Sequence, residues 1–391
     1  MYKQVKYFKG LNGLRFFAAY LVVLHHAEQI RLKNNIFNLK ELSLFNNGGL
    51  AVTFFFVLSG FLISYLLLRE QKETSNISIK RFYTRRILRI WPLYFLLVII
   101  GTLIIPYFLH IINHPYEMPY TFNEVILYYI FFSPFMVNII FGHNFLEPLW
   151  SIGVEELFYI IWAPLFKFLK KHILGIILSA ITIKLLLLTV SSKLQFSSDI
   201  NRIISILQFE SMAIGGLAAY IVFNRKKEIE SSVLFSRPIQ IIIIIFIIGK
   251  LFIGKFLALN STFFEYLYKP GFLFRILFTF SFAWLIVNVS LNKKSLITLD
   301  NKMLNFLGEI SYGIYMYHML VIFAFIFILK DQLANMPAIT ATILFYSMIT
   351  VGAILVSFVS KKLFEDYFMG FKNKFRVKQY TIYNTEIRKQ K

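Results

Sequence analysis

The sequence contains no cysteine, which excludes disulfide staples, thiolate chemistry and any cysteine-based metal centre. Charge is scarce as well: 16% of the 391 residues are Asp, Glu, Lys or Arg, against about 25% in a typical soluble domain. No HExxH pattern and no GxSxG nucleophile elbow occurs, and no set of spaced carboxylates marks a metal site in a helical bundle. The first apolar block, residues 11–24, follows Lys3, Lys6 and Lys9 as the core of a signal peptide would. No small-x-small cleavage site comes after it; His25, His26, Ala27 and Glu28 do, so the block reads as a retained first helix. Neither an internal repeat nor a long disordered linker is visible.

What is abundant is apolar length. Hydrophobic residues make up 58% of the chain and fall in blocks of about 20 residues, the length that spans a bilayer. One or two such blocks fit a soluble core; ten do not. The expected fold is an all-α membrane protein, a bundle of about ten transmembrane helices. They are placed at about 11–28, 49–68, 91–111, 150–168, 173–191, 203–222, 238–255, 271–290, 303–328 and 340–360. A single membrane domain then covers 1–365, and 366–391 form a basic cytoplasmic tail near anionic headgroups.

With the N-terminus inside, the inner segments hold 29 Lys and Arg and the outer ones 8. This positive-inside bias puts both termini in the cytoplasm. It also accounts for the formal net charge of +21, so nucleic acid is not an expected partner and the lipid bilayer is. Residues 122–141 are apolar enough to cross, but crossing would invert the charge preference of every later loop, and Pro134 interrupts them. They are expected to form one extra outer-face or re-entrant helix.

Ionisable side chains at membrane depth are costly and therefore default to functional candidates. Arg15 and His26 are eleven residues apart, about 1100° of helical rotation, which leaves them roughly 20° apart on one face, with His25 about 80° away. Periodicity alone leaves two readings open: a functional pair, or Arg15 snorkelling to headgroups with His26 at the outer interface. Arg86 and Arg89, three residues apart beside Trp91 and Pro92, form a forked clamp suited to phosphate. Lys80 and Arg85 read as ordinary anchors.

Glu155 and Glu156 stand at the outer end of an apolar helix that begins near Trp150, and point about 100° apart. Either can pair with a buried arginine, orient a histidine or serve as a general base, or be a solvated interfacial carboxylate; the last reading suits Glu156 better. His318, among Tyr312, Tyr315 and Tyr317, fits a hydrogen-bonded core histidine, and the Ser59-Gly60 step fits close helix packing. Lys184, Lys250 and Arg275 lie near or within apolar blocks and receive no role.

Taken in order, these clusters resemble the acyltransferase-3 family of bacterial membrane acyltransferases. Arg15 and His26 match its Arg-x10-His first helix, and Phe54-Phe-Phe-Val-Leu-Ser-Gly-Phe-Leu-Ile63 its second. The segment from Phe82 through Arg86 and Arg89 to Pro92 matches its Arg-x-x-Arg motif. Trp150-Ser-Ile-Gly-Val-Glu-Glu-Leu-Phe-Tyr159 looks like its Trp-Ser-x-x-Val-Glu-Glu-Gln-Phe-Tyr segment, and Ser311 to His318 is similar to its penultimate helix. Two departures stand out: Leu157 replaces the Gln, and the SGNH hydrolase-like domain that some members carry after the bundle is absent from this sequence.

The resemblance implies a membrane O-acyltransferase of the bacterial cytoplasmic membrane. It would move an acyl group, usually acetyl, from cytoplasmic acetyl-CoA to a hydroxyl of a cell-surface or exported carbohydrate. On that reading His26 is a general base or transient acyl carrier, Arg15 tunes it and Glu155 supports the site. Arg86 and Arg89 grip the CoA, with Glu156, Trp150, Ser59, Gly60 and His318 supporting and no metal involved. The chain would finish the transfer itself or hand the acyl group to a separate extracytoplasmic transferase partner. The alternative from another class is a secondary transporter exporting a glycan or anion, against which the lack of two similar halves counts.

Overall fold

The computed structural model describes residues 7–113, 118–142, 144–268 and 272–371, and among them the regular structure is helical throughout. Helix α1 (Leu11–Lys33) leads through a 3-10 turn at Ser43–Asn46 to α2 (Gly48–Thr74). Ser78 then caps α3 (Ile79–Ile99), its side chain accepting from the Arg81 N–H. A π turn at Ile100–Ile104 carries α3 straight into α4 (Ile105–Ile111), so that Ile79–Ile111 form one unit of 33 residues. Pro106 explains the turn: it offers no N–H and its ring crowds the carbonyl four residues back, which the wider π turn accommodates.

The chain next makes two short helices, α5 (Phe122–Ile130) and α6 (Pro134–Ile140). Phe132 between them has a φ of 53°, and neither helix is long enough to cross a bilayer. Thr121 and Glu124 form a capping box at the start of α5, and the Thr121 backbone and hydroxyl hydrogen bonds hold the Glu124 carboxyl below the usual carboxylate range. There follow α7 (Leu149–Phe168), α8 (Ile173–Lys193), the short α9 (Ser198–Ile206), α10 (Phe209–Glu230) and α11 (Arg237–Asn260). The chain continues with α12 (Thr262–Tyr268), α13 (Phe272–Leu291), α14 (Lys302–Glu309), α15 (Ser311–Asn335) and α16 (Ala338–Ser360). A second π turn at Lys361–Glu365 joins α16 to α17 (Asp366–Phe371).

Among the described residues, nine helical units are long and apolar enough to cross a membrane. Helix α1, of 23 residues, stands outside that set because Arg15, His25, His26, Glu28 and Arg31 lower its hydropathy. It is nonetheless packed inside the bundle, against α2, α14 and α15. Its far end carries a buried ion pair: Arg31 donates to Glu28 at 2.7 Å and to the Thr342 hydroxyl at 2.7 Å, both charges being fully enclosed. The pair fastens α1 to α16.

Several expected boundaries move. The third helix begins at Ile79, not near 91, so the Arg81–Arg89 run lies within its first three turns. The expected helix 303–328 is two helices, α14 and α15, meeting at Ile310; the one at 203–222 is α9 followed by α10. The start of the expected tail, 366–371, continues the last helix as α17, and residues 372–391 lie outside the described residues.

Helix α2 is the most enclosed of the spanning units, with 78% of its most apolar stretch buried. Its crossing with α10 depends on two glycines. A Cβ on Gly60 would sit 1.9 Å from the Met212 carbonyl oxygen, and one on Gly215 would sit 2.0 Å from that of Val57. Small residues let backbones approach this closely in lipid, where packing rather than water exclusion holds helices together. Beside them the Trp162 indole N–H donates to the Ser64 hydroxyl at 2.9 Å, joining α7 to α2.

Candidate active site

A cavity of about 340 Å³ opens among α1, α2, α3, α7 and α15, at the end of the bundle where α1 and α15 begin. Tyr7 and Arg69 line it toward that end, and Ser151 and Tyr315 toward the middle of the bundle. Arg15, Arg69, Arg86 and Arg89 all contribute to its wall, and Glu155 is the one acidic residue among its lining. Arg69 is paired at 2.8 Å with Glu73, which is not among the lining residues, and Arg15, Arg86 and Arg89 against the one carboxylate still make this an anion-seeking cavity.

Its order comes from helical spacing. Arg86 and Arg89 share a face of α3, and the Arg86 guanidinium lies 5.4 Å from the centroid of the Tyr159 ring and 5.9 Å from that of Phe82. Tyr159 is one helical turn beyond Glu155 on α7, so its hydroxyl reaches back to donate to the Glu155 Oε2 at 2.7 Å. Ser59 of α2 joins the same hydrogen-bond cluster. Glu155 therefore sits with Arg15 and Arg86 in the arginine cavity and not with the histidines. Arg85, on another face of α3, pairs with Glu70 at 3.0 Å as an anchor would.

Glu156, the adjacent carboxylate, turns away from the cavity. It is buried at 5% exposure and not solvated; its Oε2 accepts from the Trp91 indole N–H at 3.1 Å, and its Oε1 has no partner among the described residues. Trp150 is half-buried and makes an edge-to-face contact with Phe56, 5.8 Å between centroids. Gly60 belongs to the α2–α10 crossing and does not line the cavity.

The histidines form a separate group farther along α1. His26 and His318 are buried with ring centroids 5.2 Å apart. The His318 Nδ1 lies 2.6 Å from the Tyr315 carbonyl oxygen, and its Nε2 is buried without a hydrogen-bond partner among the described residues. His25 is committed elsewhere, its Nδ1 2.9 Å from the Phe45 carbonyl oxygen and its Nε2 2.9 Å from the Gln29 amide. Tyr315 separates the two regions. Its ring is 5.8 Å from that of His318 and lines the cavity on the other side, while its hydroxyl bonds Ser151 at 2.7 Å and donates to the Pro148 carbonyl at 3.0 Å.

Sequence reasoning gave no role to Arg69, Tyr159, Tyr312, Tyr315 or Ser151, all of which line the cavity. The signal for Arg69 was present: Leu58, Leu62, Tyr65 and Arg69 repeat at helical spacing, and all four line it. Tyr159 carried a similar signal in its four-residue distance from Glu155.

Comparison with known proteins agrees with the motifs. The chain is 27% identical over 400 residues to the peptidoglycan O-acetyltransferase OatA of Listeria monocytogenes, an alignment that covers 94% of this chain and 58% of that protein. It is 28% identical over 341 residues to the O-acetyltransferase OatA of Staphylococcus aureus, covering 80% of this chain and 50% of that one. The chain thus spans little more than half the length of these relatives. No solved structure matches it. The family described as "Acyltransferase domain" matches residues 8–361, nearly the whole of the described bundle, and the chain belongs to that acyltransferase family.

Proposed function

We propose that the protein is a membrane O-acetyltransferase that binds acetyl-CoA in the arginine cavity and delivers the acetyl group to a carbohydrate hydroxyl beside His26. The observation that carries this is the convergence of Arg15, Arg69, Arg86 and Arg89 on one cavity that ends against Tyr315, with the His26–His318 pair directly behind that ring. The distribution of Lys and Arg, 29 against 8, supports placing the cavity's mouth on the cytoplasmic side, where acyl-CoA is available. Membership in an acyltransferase family weighs against the exporter alternative. The acceptor class, a cell-wall or exported glycan, is in keeping with a relative named for peptidoglycan.

The guanidiniums hold the phosphates of the donor, and the Tyr159 ring, 5.4 Å from the Arg86 guanidinium, helps to hold that side chain in the wall. Glu155 fixes the cluster through Tyr159 and Ser59. The thioester carbonyl then lies toward Tyr315. Opening requires Tyr315 to leave Ser151 and Pro148, which joins the cavity to the histidine pair. His26 takes the proton of the acceptor hydroxyl as its oxygen bonds to the carbonyl carbon; the carbon–sulfur bond breaks, and the proton passes to the departing thiolate. A neutral imidazole suits this role near neutral pH.

The test uses membranes containing His26→Ala or His25→Ala protein, supplied with labelled acetyl-CoA. Ester-linked acetate in the glycan fraction should vanish with His26→Ala and persist with His25→Ala, whose ring is held by Phe45 and Gln29. Equal losses would overturn the assignment, and label recovered in protein in place of glycan would mean that a separate transferase completes the reaction.

A further inference from the structure

We propose that a second cavity, on the opposite side of α2, binds the phosphate headgroup of an anionic amphiphile drawn from the surrounding bilayer. This cavity encloses about 890 Å³ at the end of the bundle where α2 begins and α8 finishes. Gly49 and Thr53 line it, whereas Leu58 and Leu62 line the arginine cavity. Thr53 and Leu62 are nine residues apart, about 900° of rotation, which puts them on opposite faces of the same helix. The two cavities are therefore separate sites, and this inference does not rest on the acetyl-transfer reading.

Lys193, Lys250 and Arg275 line the second cavity, and no Asp or Glu is among its lining residues. Lys250 and Arg275 lie inside apolar helices, where an ionised side chain is expensive unless something compensates it. Arg275 is half answered: it donates to Glu210 at 3.0 Å and to the Ser205 carbonyl at 3.2 Å. What Lys250 meets is aromatic, with the Tyr268 and Phe274 ring centroids 5.5 and 5.4 Å from its Nζ, and no carboxylate pairs with it among the described residues. Behind Arg275, the buried Glu210 Oε2 has no hydrogen-bond partner among the described residues, but Glu210 is not part of the lining, whose charged side chains are all cationic. A phosphate, with several strong acceptor oxygens, answers two lysines and the free edge of the arginine together.

The surroundings point to the membrane as the source. Two of the helices that line the cavity are the least buried of the spanning units: 17% of the most apolar stretch of α8 and 11% of that of α11 are enclosed. Beside the lining residues, Leu187, Ile248 and Phe252 face outward. Leu50, Leu188 and Phe278 make part of the wall apolar, which suits the glycerol and first methylenes of a lipid below its headgroup.

The experiment uses the full chain in a neutral detergent and measures binding of phosphatidylglycerol, phosphatidylcholine and inorganic phosphate by native mass spectrometry and thermal shift. Phosphatidylglycerol should bind at least about tenfold more tightly than phosphatidylcholine, and Lys250→Gln and Lys193→Gln should each weaken it about tenfold. Lys193 is exposed, so its variant keeps the fold and isolates the headgroup contact. Unchanged phosphatidylglycerol affinity in both variants overturns the site. Equal binding of phosphatidylcholine overturns anion recognition, and equal protection by millimolar inorganic phosphate overturns the bilayer as the source.

Discussion

Replacing Arg86 by Ala removes a guanidinium held 5.4 Å from the Tyr159 ring centroid and 5.9 Å from that of Phe82, leaving Arg15, Arg69 and Arg89 in the cavity. A hydrogen bond to a charged group contributes about 1.5–3 kcal/mol. Taking roughly 2 kcal/mol for the lost forked contact, the apparent Kd for acetyl-CoA should rise about thirtyfold. Arg86→Lys keeps the charge and can keep a cation–π contact, which contributes about 0.5–1 kcal/mol, but loses the fork, so it should restore only part of the loss. Tyr159→Phe keeps a ring beside Arg86 while deleting the hydrogen bond to Glu155, and so reads the Glu155 contact apart from the ring contact. Calorimetric titration of purified protein with acetyl-CoA and with desulfo-CoA reads the effect without turnover. Identical affinity in the parent and in Arg86→Ala would refute a donor site here and return these arginines to the role of topological anchors.

Glu155→Gln should keep the fold but lower acetyl transfer at saturating donor, since it preserves shape while removing the one carboxylate facing the cavity's arginines; unchanged transfer would show that the charge is irrelevant. Gly60→Ala forces a methyl against the Met212 backbone and should destabilise the detergent-solubilised protein by about 1–3 kcal/mol, whereas Gly175→Ala, which meets open space, should not; equal melting temperatures would contradict the close α2–α10 crossing. Single cysteines at exposed Asn123, Lys171 and Lys227 test the topology against a cysteine-free background: an impermeant reagent on whole cells should label position 123 alone, and labelling at 171 or 227 would mean that the α5–α6 segment crosses. Asn144, in a loop of the same face, is unsuitable because it is buried against Tyr120.

The helices were legible because lipid leaves a spanning segment no alternative to satisfying its own backbone. What the apolar blocks concealed were the amphipathic ends. Helix α3 extends twelve residues before Trp91, capped by Ser78, because its basic first turns lie along the bundle and are no less helical for being charged. The break at Ile310, within Gly308-Glu309-Ile310-Ser311, and the one between α9 and α10, at Leu207-Gln208, are short polar interruptions that hydropathy averaged over the length of a span does not resolve. Pro134 did mark the break in 122–141, since a proline limits where a helix can continue.

The site divides along the same line between what repeats within a helix and what only the fold decides. Spacing put Arg86 with Arg89, and the structure brings both to Arg15, Ser59 and Glu155 in one cavity. Spacing also put Arg15 and His26 on one face, but a face runs the whole length of a helix. Eleven residues of rise separate them by roughly 16 Å, so they belong to different neighbourhoods. Arg15 meets the arginines of α3 and the carboxylate of α7, whereas His26 meets His318 of α15. Tyr315 stands between these groups because α15 runs past both, presenting its ring to the cavity on one side and to His318 on the other. No pattern within one helix contains that arrangement, since it depends on the depth at which α15 lies beside α1. What separates the arginine cavity from the histidine pair is therefore one aromatic side chain, held by two hydrogen bonds, to Ser151 and Pro148.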